Sequence, residues 1–303
     1  MDRLHLMSVF VAVAEEEGFS GGARRLGISP PAVTRAIAML EAHLGVKLLN
    51  RTTRFVKMTE AGQRYLEDAR RIMASINDAE EAATGINAEP RGHIVVTAPV
   101  LFGRMYVMPG IVDYLHRYPE TEVSALFLDR IVNLLEEGVD VGVRIGELPD
   151  SSFKAASVGH VRRVICATPA YLEEHGIPQL PDDLLHHQII AANNMNTTDE
   201  WKFVQNDAMK TIRVKSRLTV TSNDAAIEAV IRGAGITRLL SYQIAPLVNS
   251  GQLKIILSEF ERAPLPIHVI HREGRYASAK IRAFVDMMIV HLRANASLSA
   301  SQD

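Results

Sequence analysis

"GISPPAVTRAIAMLEAHLG" occupies residues 27–45 and places two consecutive prolines where a helix begins. The first four N–H groups of a helix have no intrahelical partner, so proline loses little there. Ser29 precedes a proline, which drives it to an extended conformation that suits an N-cap. Pro30 also precedes a proline, so the helix starts at Pro30 or at Pro31. The same entrance predicts free backbone donors at Ala32 and Val33, placed to meet a phosphate. Val33, Ile37, Leu40 and Leu44 then recur at spacings of four, three and four. They make one apolar face and leave Thr34, Arg35 and Ala38 on the other.

Upstream, Leu4, Met7, Phe10, Val11 and Ala14 follow helical spacing, so residues 3–16 read as an amphipathic helix ended by Gly18. Ser20 reads as the N-cap of a short helix holding Ala23 and Leu26. Gly27 supplies the turn. Ala23, Gly27 four residues on and Val33 six after that make helix–turn–helix spacing. Downstream, Val46–Leu49 and Phe55–Met58 read as two short strands. Between them Arg51, Thr52, Thr53 and Arg54 form a polar, cationic tip, the wing of a winged helix. Arg51 has a second reading, as a partner for an acidic residue that holds the wing in place.

Thr59, Glu60 and Gly62 open a further helix. Tyr65, Ala69, Ile72, Ile76, Ala79 and Ala83 repeat along it with a period of 3.5 residues. That period marks a coiled-coil seam through which two copies pair; the competing reading is an ordinary surface helix. The helix stops before "INAEPRG" (residues 86–92).

The chain has 303 residues, 47% apolar and 22% charged, which suits a globular protein of two or three domains. No apolar run is long enough to span a membrane. The N-terminal apolar stretch is short and runs into three glutamates, so it reads as a helix and not a signal peptide. With one cysteine, Cys166, no internal disulfide is expected, and the cytoplasm is the expected compartment. Net charge is −2, yet residues 20–71 carry ten cations against four anions. Such a local patch attracts nucleic acid whatever the total charge.

"FVAVAEEEGFSGGARRLGISPPAVTRAIAMLEAHLGVKLLNRTTRFVKMTEAG" (residues 10–62) resembles the N-terminal region of LysR-type transcriptional regulators almost position for position. The resemblance implies an α/β chain in three parts. They are a winged helix–turn–helix (1–59), a dimerising linker helix and hinge (60–90), and a two-lobed, periplasmic-binding-protein-like effector domain (91–303). Lobe I takes about 91–163 and 268–303, and lobe II about 164–267. The family usually carries glutamine in the Pro30 slot, a residue that commonly touches DNA. Its absence shifts the expected readout to Thr34, Arg35 and the wing. Ser29, Pro30, Pro31 and Ala32 complete the expected DNA-facing set. The implied partners are double-stranded DNA with dyad symmetry, a small-molecule effector and further copies of the chain, as a homodimer or homotetramer.

From His93 onward strands and helices alternate. "HIVVTA", "TEVSALFL" and "VDVGVRI" read as strands; residues 101–117 and "RIVNLLEEG" read as helices. "RRVICATPAYLEEHG" opens a second run, followed by "HHQIIAAN", "RLTVTS", the helix "NDAAIEAVIRGAG", "ITRLL", "LPIHVIHREG" and a helix over 277–292. This pattern predicts parallel sheets with helices on both faces and a cleft between two lobes. Pro99, Val100 and Phe102 are expected at the cleft mouth, with Leu128 and Asp129 at the next strand end. Ser222 and Asn223 are expected at a helix start, although both also read as helix caps alone. Converging helix N-termini favour an anionic effector, and Asp129 opposes it. "VRIGELPDSS" resembles one large branch of the family, whose effectors are diverse.

Catalytic signals are weak. Cys166 lies in an apolar strand, adjacent His186 and His187 cannot share a face, and "RGAGI" lacks a third glycine. No cofactor or metal is expected. An enzyme with an appended DNA-binding domain would need a nucleophile, base and orienting group, and no such set stands out. A transported-solute receptor would need an export signal.

Overall fold

The computed structural model describes residues 2–51, 56–84, 89–148, 153–192, 200–272 and 278–298. Contacts gather into two compact units that divide after residue 88.

In the first unit Asp2 caps α1 (Arg3–Glu15), its carboxylate accepting the Leu4 N–H at 3.2 Å. α2 (Phe19–Leu26) is capped by Gly18 and not by Ser20, which falls inside the first turn. Gly27 ends it at φ 64°, a left-handed position that favours glycine, and the Ile28 N–H closes the turn onto the Ala23 carbonyl at 3.1 Å. α3 runs Pro30–Leu44, so the helix takes in both prolines. Phe10, Val13, Val33, Ile37 and Leu40 share a core with Leu48 and Leu49. Leu44 is 38% exposed, so the buried stripe stops one turn earlier than its spacing suggests.

The strands are shorter than expected: β1 is Leu49–Arg51 and β2 is Val56–Met58, paired antiparallel with Leu49 opposite Met58. Thr52, Thr53 and Arg54 lie outside the described residues. α4 is Glu60–Thr84. The first two positions of its expected seam face inward. Tyr65 meets Phe10 edge-on with ring centroids 5.4 Å apart, and Ala69 is fully buried. The 3.5-residue period begins as intramolecular packing; only at Ile72, 43% exposed, does the stripe open outward. Ile76 is half-buried. The side chains of Ala79 and Ala83 lie outside the described ones.

The second unit holds two five-stranded sheets. In the first, β3 (Gly92–Ala98) is followed by α5 (Val100–Phe102), a π turn (Gly103–Val107) and α6 (Met108–Arg117), one helical run interrupted once. β4 (Thr121–Phe127) and β5 (Val141–Ile145) follow, and β6 (Phe153–Val161) leads out of the lobe. "RIVNLLEEG" forms no helix. The Asn133 side-chain oxygen takes the Leu135 N–H at 3.1 Å, and Glu137 takes the Asn133 N–H at 3.1 Å while clamping Arg130. Such local bonds offer the backbone an alternative to helix. Val132, Leu134 and Val139 pack there as a small cluster with Ile270.

The second sheet uses β7 (Arg163–Ala167), α7 (Pro169–His175), β8 (Ile189–Ala192), a hairpin of β9 (Glu200–Gln205) and β10 (Ala208–Arg213), then β11 (Ser216–Val220). α8 (Asn223–Ile231), β12 (Ile236–Leu240), α9 (Ser241–Asn249) and β13 (Lys254–Ile256) complete it. β14 (Leu265–Arg272) and α10 (Ala279–Arg293) return to the first lobe. Strand orders are β4-β3-β5-β14-β6 and β11-β8-β12-β7-β13. Three neighbouring strands of each sheet are parallel and the remaining two join antiparallel, so the sheets are mixed and not purely parallel. The crossings fall at Arg162 and at residues 257–264, so β14 enters lobe I at Leu265, before residue 268.

Candidate nucleic-acid interface and effector lobes

α3 presents Thr34, half-buried, and Arg35, fully outward, opposite the buried Val33, Ile37 and Leu40. Its N-terminus differs from expectation. The Ala32 and Val33 N–H groups both donate to the Ser29 carbonyl, at 2.9 and 3.1 Å, and the Ser29 side chain makes no capping bond. Pro30 and Pro31 have no N–H to offer. The entrance therefore holds no spare donor at these four positions.

Ion pairs thin the basic patch. Arg25 and Arg70 both bind Glu15, at 2.6 and 2.8 Å; Lys47 binds Glu41 at 2.6 Å, Arg64 binds Glu60 at 3.5 Å, and Arg71 binds Asp68. Arg24, Arg35 and Lys57 are exposed and form no ion pair with a described residue. Arg24 on α2, Arg35 on α3 and Lys57 on β2 thus carry charge that no described carboxylate takes up.

Glu41 was hidden in the charge count, and the structure gives it a role. It is 6% exposed, and its carboxylate accepts the Leu48 and Leu49 N–H groups at 2.9 and 3.2 Å beside Lys47. Burial pushes its pKa up. The bonds from Lys47, Leu49 and Leu48, with the Lys47 charge, outweigh that and hold the group below its ordinary value. One side chain on α3 thereby fixes the base of the wing. Thr59 fixes the other side: its hydroxyl donates to the Lys47 carbonyl at 2.8 Å and accepts the Gly62 N–H at 2.9 Å, capping α4.

The expected effector residues divide. Phe102 is not at a cleft mouth; it is buried, with Tyr106 and Tyr242 packed at 5.0 and 5.3 Å between centroids. Pro99, Val100, Leu128, Ser222 and Asn223 are half-buried, and Asp129 is exposed. The helix starts are not uncapped. Asp129 accepts the Val100 N–H at 2.9 Å, and the Ser222 hydroxyl accepts the Ala225 N–H at 3.3 Å. Two contacts that the strand pattern gave no sign of join the lobes: Tyr242 of α9 in the aromatic cluster, and Arg104 reaching Asp224 at 3.8 Å. Burial first, then the charge of Asp129, pushes the Tyr242 phenol upward. A cavity of about 310 Å³ lies elsewhere, lined by none of the expected residues but by Arg163, Arg238, Arg262 and a set of apolar side chains. Among the described residues no helix is long and apolar enough to cross a membrane.

A family model described as "Bacterial regulatory helix-turn-helix protein, lysR family" matches residues 4–63, and one described as "LysR substrate binding domain" matches residues 87–293. The chain is 30% identical to the HTH-type transcriptional activator TtdR of Escherichia coli K12, over 93% of this chain and 91% of that protein. It is also 30% identical to the HTH-type transcriptional repressor PA14_22550 of Pseudomonas aeruginosa, over 95% and 92%. Among solved structures it resembles CrgA, a LysR-type transcriptional regulator from Neisseria meningitidis. The TM-score is 0.61 at 28% identity, covering 95% of this chain and 98% of that one.

Proposed function

We propose, for a chain that belongs to the LysR family of bacterial transcriptional regulators, a homo-oligomer that reads a dyad-symmetric operator chiefly through Arg35 and answers to an effector held between its α/β lobes. The family consists of DNA-binding regulators with an effector-binding domain, and the chain is a regulator, not an enzyme. The finer reading rests on one observation above the others: Arg35 stands outward on α3 with no ion pair to a described residue, as Arg24 and Lys57 also do on their elements, while Arg25 and Lys47 are taken up. Its guanidinium fork suits a guanine edge or a phosphate. Thr34 flanks it, and Arg51, Thr52, Thr53 and Arg54 carry the wing to the adjacent groove. Ser29, Pro30, Pro31 and Ala32 lie against the backbone of the same site. With DNA as partner the compartment is the cytoplasm.

Two copies are needed to read two half-sites, and Ile72 and Ile76 on α4 supply the pairing surface, as a dimer or a dimer of dimers. The effector rests against Pro99, Val100, Leu128, Ser222 and Asn223, at strand ends of both lobes. The start of α8 favours an anion there. Asp129 already occupies the other helix start, so the anion preference rests on α8 alone.

Fluorescence anisotropy with the chain's own promoter fragment tests the DNA reading. Losing a bidentate arginine contact costs roughly 1–3 kcal/mol, about five- to 150-fold in affinity. Wild-type affinity in Arg35→Ala at matched salt overturns the recognition-helix assignment. Thermal shifts across organic acids, amines and neutral metabolites test the effector. If no hit is weakened by Val100→Trp or by Ser222→Trp, the inter-lobe site is removed.

A further inference from the structure

The cavity of about 310 Å³ in the second unit combines two features. One is a cluster of positive charge. Arg163, Arg238 and Arg262 all line it, Arg238 half-buried and the other two exposed, and none forms an ion pair with a described residue. The fold forces the first two together. On the antiparallel strands β7 and β12, Arg238 stands opposite Ile165, so Arg163, two residues along β7, lies diagonally beside it on the same sheet face. Like charges in that relation repel. Burial first, then the charges of Arg163 and Arg262, holds the Arg238 pKa down to about 10. Trp201 keeps the Arg238 guanidinium in place, its ring centroid 4.9 Å away.

The second feature is an apolar floor. Ile165, Phe203, Ile256, Leu257 and Phe260 line the same space and are buried. The carboxylates present do not neutralise the arginines. Glu261 is engaged by Arg162 at 3.3 Å, and burial raises its pKa; Glu147 lies exposed at the rim. Lys202 adds a further positive charge to the lining.

We propose that this cavity is a second small-molecule site, separate from the inter-lobe residues, that binds a carboxylate with a compact apolar body. The guanidinium groups take the carboxylate as charge-assisted, paired hydrogen bonds, and the apolar body replaces water against Ile165, Phe203 and Phe260. The volume is at the small end for ligand pockets, which selects a body of about one ring or one branched chain. The site also touches the hinge. Arg262, Ala263 and Pro264 belong to the second crossing between the lobes, and Leu265 begins β14 of lobe I. A ligand there bridges lobe II to the crossing and biases the angle between lobes, so it acts on the regulator by a route that does not use the effector cleft.

Isothermal titration of the full-length protein with benzoate, salicylate and 4-methylpentanoate, each beside its neutral amide, tests this. Saturable binding of at least one acid, with its amide inert, is expected. Arg238→Gln should weaken it roughly ten- to hundredfold, the scale of a lost charged hydrogen bond in a partly buried site. Arg262→Gln, on an exposed residue that no core depends on, should weaken it in the same direction and guards against misfolding of the first variant. Val100→Trp and Ser222→Trp, which block the inter-lobe site, should leave it unchanged. Absence of binding by all three acids, equal binding of an acid and its amide, full affinity in both arginine variants, or loss in the tryptophan variants instead, each overturns the proposal. The operator assignment does not depend on any of these results, and the inter-lobe assignment is tested separately by the ligands whose binding Arg238→Gln leaves intact.

Discussion

Replacing Glu41 by alanine should loosen the wing while leaving α3 in place. The magnitude follows from what the carboxylate does. Its pair with Lys47 contributes little, because the lysine side chain is largely exposed. The backbone amides of Leu48 and Leu49 decide the outcome. Both residues are buried, and each amide N–H donates a hydrogen bond to the Glu41 carboxylate. Stranding a buried donor costs about 1–3 kcal/mol, so two of them cost roughly 2–6 kcal/mol locally. Hydrogen exchange followed by mass spectrometry on peptides covering residues 46–58 reads this directly, with protection falling about thirtyfold to a thousandfold or more. Glu41→Gln keeps an acceptor for both amides and should lose far less. The effect is also pH-dependent. The folded pKa lies below the ordinary value, so the stabilisation is fully present above the ordinary carboxylate range and disappears as pH falls through the folded pKa. Wild type and Glu41→Ala should therefore converge in acid. Unchanged protection at neutral pH in Glu41→Ala, or a gap that widens on acidification, refutes the reasoning.

Gly62→Ala should lower the melting temperature through a local cost of about 1–3 kcal/mol. Its Cβ would come within 3.0 Å of the Leu48 carbonyl carbon and closer still to the oxygen, which is backbone and cannot rotate away; an unchanged melt contradicts the close approach. Ile72→Glu with Ile76→Glu should reduce the mass measured by light scattering, and an oligomer that survives with its circular dichroism intact places the interface elsewhere. Cys166 is buried and its thiol is pushed up to about 12 by burial, so iodoacetamide at pH 8 should leave it unmodified in the native protein and label it in urea. Rapid native labelling contradicts that burial.

What was legible in the sequence was local. Val33, Ile37 and Leu40 repeat within one helix, and Gly27 needs no neighbour to signal a left-handed turn, so the helix–turn–helix stands out from spacing alone. Even there the single chain misleads where one pattern serves two purposes. Tyr65 and Ala69 continue the 3.5-residue period of Ile72 and Ile76, yet they are consumed by Phe10 and the first core. Periodicity reports which face is apolar, not what covers it. Glu41 fails for the opposite reason. Nothing near it in sequence shows that two strand amides will arrive beneath it.

The effector lobes show the limit more sharply, because their chemistry is assembled by register. The strand ends carrying Val100, Asp129 and Ser222 are readable, but the pairing of Asp129 with the Val100 N–H is not, and that bond removes the donor on which an anion would have rested. The arginines of the hinge cavity come from β7, β12 and the second crossing, segments that read separately as an apolar strand, a strand after a glycine turn and a loop. They converge only because β12 runs antiparallel to β7 with Arg238 opposite Ile165. A register shift of one residue would turn Arg238 to the opposite face, among Val164, Cys166 and Leu239, where a charge has no place. The same register that buries the core face therefore fixes the cationic face.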